Sequence, residues 1–590
     1  MRVTAHFVWL LGIGLLALCM AYSALVLHSA TWEEVRALDL IFPFYGQPIR
    51  LFSPSEYATF RDAMTLAALG MGGLLGGLCF FQVFRAEVRA LCVEIASGIR
   101  ALLSSFSILT KPQKRLIWGA FALLTVLRLY FSLYNPEYDD AVSYEVFVSK
   151  GFLATNAYYP IPNNHIFSNS ISLLFYQLSP GFWWTMRLPV LLISTGTTIF
   201  LFLGVLRLTS FRVAGIATGL FSCLQLSLYH AGVGRGYWLM ILLAGVVFFS
   251  TLILVEGQGR QRAAVTVLVL AGVVGCYTVP PFVYVLASAF SWLGVTALRR
   301  RDWSPLVPIA AAGILILAGV AVLYSPLIFV SGLNKLVGNG YVASLPPAKF
   351  WAGLPAYVWF NEGFMAGQRT LGAFITVPTL GAVAWLFFAA RHGQLPLVLT
   401  QRLWRVGVPA LWFAGLPYAV ILVQRVFPPE RVLLYKAFFS LILLALVVDW
   451  ICWRWPSRRL QWSISVCAGL FITYQTYSVI RVNPAARGSN AAYHDGLHWL
   501  ATQAPGPVLI PEPTHNLFFR FYAHSEMRQR TWHIDNDQKD TTRYAYVVAF
   551  PKKRGFFQPE FSFPPAYQNR EVEIYRVPKE YPLQTKPWRH

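Results

Sequence analysis

The acidic pair Asp139-Asp140, in the stretch Tyr134-Asn-Pro-Glu-Tyr-Asp-Asp-Ala-Val-Ser-Tyr-Glu145, follows directly on a hydrophobic run. Charged groups at the edge of a membrane core are expensive, and where they occur they tend to serve function. A carboxylate placed there can act as general base on an acceptor hydroxyl or amine, with a second acid orienting the acceptor or tuning the first. Three more polar motifs lie outside the apolar runs: Asn163-Asn164-His165, Gly234-Arg235-Gly236-Tyr237 and Pro428-Pro429-Glu430-Arg431. Guanidinium forks bind phosphate bidentately and can neutralise a departing phosphate. Base plus phosphate clamp at a lipid interface fits sugar transfer from a lipid phosphate. The expected site is therefore Asp139 and Asp140 as catalytic carboxylates, with Asn164, His165, Arg235, Tyr237, Glu430 and Arg431 at the substrate and no metal ligand. Competing roles are a turn or helix cap for the acidic pair, interfacial snorkelling for the arginines, and loop hydrogen bonding for His165.

The elements that must carry these motifs are membrane spans. Of 590 residues, 56% are hydrophobic, 16% aromatic and 13% charged, which excludes an ordinary soluble enzyme and a disordered chain. Apolar runs of span length lie at roughly 7–28, 63–84, 116–134, 188–206, 213–230, 237–255, 263–279, 281–298, 306–330, 371–390, 406–424, 432–450 and 462–480, giving about 13 helices. The first run lacks a small-residue cleavage site and is expected to be a retained anchor. Lys and Arg gather in alternate turns, including Arg85, Arg89 and Arg100, Arg299 to Arg301, and Arg454, Arg458 and Arg459, which places those turns in the cytoplasm. The net charge of +22 follows from this topology and from anionic lipid, and calls for no nucleic acid. The four polar motifs then share the external side, which is periplasmic if the chain is bacterial, and the N-terminus is cytoplasmic.

Domain organisation follows from composition. Residues 1–84 supply two leading helices, 85–115 a basic cytoplasmic linker, 116–480 the transmembrane core with an external loop at 135–187, and 481–590 a small extracytoplasmic α/β domain. In that last domain the pattern predicts helices at Ala491–Thr502 and Thr514–Ala523 and strands at Pro507–Pro511, Arg543–Phe550 and Arg570–Val577. The stretch Phe167–Tyr176 is amphipathic and suits a helix lying along the membrane surface. All seven cysteines fall in spans or on the inner side, so disulfides do not hold the protein together. His494 and His498 stand one helical turn apart, with His515, His524 and His533 following; without a carboxylate at recognisable spacing they are expected to be solvated or packed.

From about residue 116 onward the order of motifs resembles the glycosyltransferase C (GT-C) superfamily, and within it family 39, the branch of protein O-mannosyltransferases and lipid A aminoarabinose transferases. The resemblance rests on Asp139-Asp140, on Tyr159-Pro-Ile-Pro-Asn-Asn-His165, on Arg187-Leu-Pro189, on Gly234-Arg-Gly-Tyr237 and on Pro429-Glu-Arg431. It implies a multi-pass plasma-membrane enzyme of GT-C-like fold that takes a hexosyl or pentosyl unit from a polyprenyl-phosphate donor, inverts the anomeric centre and delivers it to a lipid, glycan or protein. By the same resemblance Asp139 is the base, and Arg235 and Arg431 face the donor phosphate. It assigns no definite cofactor and leaves room for a divalent cation. Asp-Asp stands where many relatives have Asp-Glu, Asn164-His165 replaces a Lys-Pro-Pro type motif, and the two leading helices fall outside the resemblance. A polytopic transporter or lipid-linked-sugar flippase is the competing class; it would be expected to show paired half-repeats with charges near the midplane, and the sequence has no such duplication. If the charge bias sets orientation, a reporter fused after Lys586 is active only outside the cytoplasm and one inserted at 299–301 only inside; matching sides would overturn the topology.

Overall fold

The computed structural model describes residues 4–41, 49–257, 259–338, 343–539, 541–551 and 561–579, with the side chains of 369 and 482–489 left aside. Among them 12 helices are long and apolar enough to cross a membrane, or 13 if Phe211–Cys223 and Gln225–Ala231, bent by 66° at their junction, form one span. The expected polytopic helical architecture is therefore present. It differs from the sequence reading at the start of the core. Ser53 and Glu56 cap each other's backbone N–H groups, with Pro54 in the first turn, so the second long helix begins early and runs Pro54–Leu78. The stretch expected as a linker is mostly a further helix, Gln82–Ser107. Its two glutamates explain why it docks: Arg262 Nε donates to Glu87 Oε2 at 2.5 Å and Arg262 Nη1 to Glu94 Oε1 at 3.2 Å. Another reciprocal cap, Thr110 with Gln113, starts the next span, Lys111–Ser132.

Two spans bring the candidate site together. Helices Leu188–Leu208 and Tyr237–Glu256 pack through Gly204 and Gly245; a Cβ at Gly204 would lie 2.4 Å from the Phe249 ring and one at Gly245 2.5 Å from Leu201. In lipid, where apolar tails compete equally for apolar side chains, small residues at a contact let helices approach closely. Their N-terminal ends, preceded by Arg187 and by Gly234-Arg235-Gly236, are thereby held side by side.

The loop 135–187 is helical in short pieces: Tyr138–Val142, a π-turn Ser143–Phe147, Gly151–Ala157, Ile166–Leu178 and a second π-turn Trp183–Arg187. Gly151, at φ +92°, permits the break before the third piece. The amphipathic stretch is helical, as Ile166–Leu178, with one side buried in the loop and Leu174 and Leu178 exposed. Asn156 anchors the loop to two spans, its Oδ1 accepting from Tyr22 at 2.8 Å and from Tyr277 at 3.0 Å.

Beyond the membrane the chain forms a five-stranded sheet in the order β2-β1-β3-β5-β4: β1 Val508–Leu509, β2 Ile534–Asp535, β3 Tyr546–Ala549, β4 Tyr567–Gln568 and β5 Glu573–Arg576. β1 pairs in parallel with β2 and β3, whereas β5 is antiparallel to β3 and β4. The expected strands are present as β1, β3 and β5 and the second helix as Pro513–Ser525; the two-residue β2 and β4 gave no pattern to read. The composition shift near Arg481 is not a chain break, because a single 45-residue helix, Arg458–Thr502, runs through it.

The sheet domain shares a core with the loop and the leading helices. Val26, Leu27 and Tyr57, loop residues Tyr144 and Phe147, and Phe518, Phe521 and Ile574 belong to one buried cluster. Each large apolar side chain buried there contributes about 1.5–3 kcal/mol. At its polar margin Glu145, 1% exposed, meets Lys150 Nζ at 3.0 Å, Arg520 Nη2 at 3.0 Å and His524 Nδ1 at 2.6 Å. Burial alone would raise this carboxyl, but Lys150, His524 and Arg520 outweigh it and bring it down to about 2 from an ordinary 4.5. A carboxylate with a depressed folded pKa stabilises the fold above its unfolded pKa, and that contribution drains away as pH falls toward the folded value. Domain docking should therefore weaken between about pH 4.5 and 2 by something on the order of 3 kcal/mol. Glu145→Gln should weaken docking at neutral pH and flatten that acid dependence, read as proteolytic release of the domain across a pH series; an unchanged profile would show that Glu145 does not clamp it.

Candidate active site

The acidic pair opens the Tyr138–Val142 helix, and its two members have opposite surroundings. Asp140 is completely buried. Its Oδ2 accepts from Arg187 Nη2 at 2.6 Å and from Glu137 N at 3.3 Å, and its Oδ1 accepts from Gly234 N at 2.8 Å. Burial pushes this carboxyl up, and Arg187 and the two backbone N–H groups pull it back toward the charged form. Asp139 has a side chain 39% exposed, with Oδ2 3.8 Å from Arg235 Nη2. One acid is locked; the other faces outward.

Gly-Arg-Gly reads as three separate contacts. Gly234 gives its N–H to Asp140, and a Cβ there would come within 2.8 Å of Met186. Gly236 gives its N–H to His165 Nδ1 at 3.0 Å, and a Cβ would lie 2.9 Å from Thr278 and 3.0 Å from that same nitrogen. Arg235, 3% exposed, donates to Ser143 Oγ at 3.1 Å and to the Asn163 carbonyl at 2.8 Å, and lies 3.0 Å from His165 Nε2. Much of its fork is thus occupied by the loop, and the reach that remains is toward Asp139. His165 has N–H groups facing both ring nitrogens and accepts through one of them. Burial first, then Arg235 and Arg431, holds it well below the usual imidazole range, so it is neutral.

Tyr237 opens the next helix with its ring between His165 (centroids 4.8 Å apart) and His230 (4.3 Å). Its hydroxyl pairs with Arg431, which also lies in the field of Asp139 and Glu430. Glu430 begins the short turn Glu430–Leu433 and is half-buried. Asp139, Asp140, His165, Arg235, Tyr237 and Arg431 therefore come together, with Glu430 beside Arg431. Asn164 is turned away: its Nδ2 donates to the carbonyls of Thr155 (2.9 Å) and Tyr158 (3.2 Å), and its Oδ1 accepts from Asn169. It staples the loop.

Sequence reasoning assigned no role to Glu137, which accepts from the Tyr229 hydroxyl, or to His230, buried with both ring nitrogens lacking hydrogen-bond partners. Burial raises the Glu137 carboxyl, Tyr229 opposing. Arg187 entered only as part of a motif. A lone arginine directly before an apolar span was the signal that it needed a buried anion.

No protein-family model matches the chain, and no curated protein does. Among solved structures, ArnT from Cupriavidus metallidurans in the apo state superposes with a TM-score of 0.53 at 12% identity, covering 79% of this chain and 98% of that one. The chain has a GT-C-type fold. ArnT from Cupriavidus metallidurans bound to undecaprenyl phosphate aligns at a TM-score of 0.49 (14% identity, 78% and 97% covered). The arabinosyltransferase EmbB from Mycobacterium smegmatis aligns at a TM-score of 0.32 (14% identity, 82% and 49% covered).

Removing one partner of a buried ion pair strands the other charge, at a cost of about 3–5 kcal/mol. Arg187→Met should therefore lower thermal stability in detergent by that order, and Arg187→Met with Asp140→Asn should recover part of it. A loss in the double variant equal to the sum of the Arg187→Met and Asp140→Asn losses would mean that the pair is not coupled.

Proposed function

We propose that the protein is a membrane glycosyltransferase that moves a sugar from a polyprenyl-phosphate donor to an acceptor on the external face, with inversion. The observation that carries this reading is the division within the acidic pair. A carboxylate wholly buried against a guanidinium, as Asp140 is, cannot take a proton from a substrate. Asp139 is accessible and stands beside two arginines.

In this mechanism Asp139 accepts the proton of the acceptor hydroxyl or amine as that atom attacks the anomeric carbon. The bond from that carbon to the phosphate oxygen breaks on the opposite face, and polyprenyl phosphate leaves. Arg431, half-buried, faces the donor phosphate; Arg235, its fork mostly held by the loop, adds positive charge and positions Asp139. Three helix N-termini support an anion here, since Arg187, Gly236 and the Glu430-Arg431 turn lie at the starts of Leu188–Leu208, Tyr237–Glu256 and Leu434–Arg454. The donor sugar is a hexosyl or pentosyl unit, and the acceptor a lipid, glycan or protein.

Asp139→Asn preserves size and removes the base, so it should leave expression and donor binding intact while lowering turnover about 10²–10⁴-fold. Arg431→Lys should weaken donor binding by about 1.5–3 kcal/mol, the worth of a charge-assisted hydrogen bond. Transfer from a purified polyprenyl-phosphate sugar reads the first and a binding titration the second. Normal turnover in Asp139→Asn would remove the proposed base.

A further inference from the structure

His494 and His498 lie one turn apart near the outer end of the Arg458–Thr502 helix, and the carboxylate partner that the sequence did not reveal arrives from elsewhere. Glu526 caps the C-terminal end of the Pro513–Ser525 helix and turns back onto them. His494 Nε2 is 3.0 Å from His498 Nε2 and 2.8 Å from Glu526 Oε2. One ligand atom from each residue falls within 4.8 Å of the others. We propose that His494, His498 and Glu526 form a divalent transition-metal site, best matched by zinc, that staples the Pro513–Ser525 helix to the long helix.

The donor set has the right chemistry. Two imidazoles and one carboxylate suit zinc, whose nitrogen and oxygen ligands stand about 2.0–2.2 Å from the metal. Ligand atoms converging at the observed spacing surround one such centre. Without a cation, both the His498 nitrogen and the Glu526 carboxylate must share the single proton of His494 Nε2. With a cation, all three lone pairs are used. Once Nε2 is on the metal the ring proton moves to Nδ1, and Asp495 Oδ1, 3.8 Å from that nitrogen, stands on the side where a carboxylate supports it. The Tyr522 ring packs edge-on against His494 with centroids 4.9 Å apart and fixes its plane. His498 and Glu526 are exposed, which gives the metal an entry path and a water-filled fourth position.

The position suits a staple. Two residues before Glu526, His524 reaches Glu145 of the loop, and two residues after it Arg528 reaches the Pro180 carbonyl. A cation on Glu526 would fix the segment that carries both contacts to the long helix.

The test uses the full-length protein in detergent, stripped with chelator and titrated with zinc chloride. Elemental analysis should find one zinc per chain bound through this site, and zinc should raise the thermal midpoint and slow proteolysis of the sheet domain. His498→Ala, a surface change, should lower zinc affinity by more than the about 10–100-fold typical of losing an outer-shell partner. Glu526→Gln should do the same, and His533→Ala, whose ring pairs with Asp535 instead, should leave affinity unchanged. Zinc binding that is absent at micromolar concentration, or that survives unchanged in both His498→Ala and Glu526→Gln, would overturn the site.

Discussion

The structure is arranged around one buried carboxylate. Asp140 has no solvent, and a carboxylate at the margin of a membrane is tolerated only when its charge is matched and its lone pairs are filled. Arg187 supplies the charge, and Glu137 N and Gly234 N fill the remaining directions. These donors come from the loop and from the starts of two spans, so the carboxylate works as a rivet among segments far apart in sequence. With Asp140 turned inward, Asp139, its neighbour in the same short helix, projects outward. The outward acid therefore owes its position to the buried one.

Two glycines and a loop follow from the same constraint. Gly234 must bring its backbone N–H to Asp140 past Met186, and Gly236 must bring its own to His165 past Thr278. Neither position has room for a Cβ. Arg235 is left between them with its side chain directed into the loop, where Ser143 begins one π-turn; Arg187 ends another. Such turns re-aim a side chain without ending the helix, and they are frequent at functional sites.

Much of this was legible in the sequence where one local signal dominated. The runs 188–206, 237–255 and 432–450 gave the spans Leu188–Leu208, Tyr237–Glu256 and Leu434–Arg454, because each begins at a charged or glycine-containing motif and stays mainly apolar for the length of a span. The acidic pair and Gly-Arg-Gly-Tyr were visible as polar breaks. Tertiary partners were not. Gln82–Ser107 reads as a basic linker until Arg262 is found against Glu87 and Glu94. Asn164 looks like a substrate ligand until the carbonyls of Thr155 and Tyr158 are found around it. The difference between Asp139 and Asp140 is invisible in two adjacent identical letters, because it depends on where Arg187 and Gly234 arrive.

The leading helices and the sheet domain, at opposite ends of the chain, meet on the loop, through Tyr22 on Asn156 and through Arg520 and His524 on Glu145. The long helix Arg458–Thr502 gives this arrangement a mechanical character. Its 45 residues carry the chain from span to domain as one helix. A domain on a flexible linker would diffuse independently of the bilayer. Here one helix joins span to domain, and helix tilt answers to the thickness of the surrounding lipid. A change in the tilt of that span is passed along the helix to the domain that rests on the loop, which makes the bilayer itself one of the walls against which the acidic helix is set.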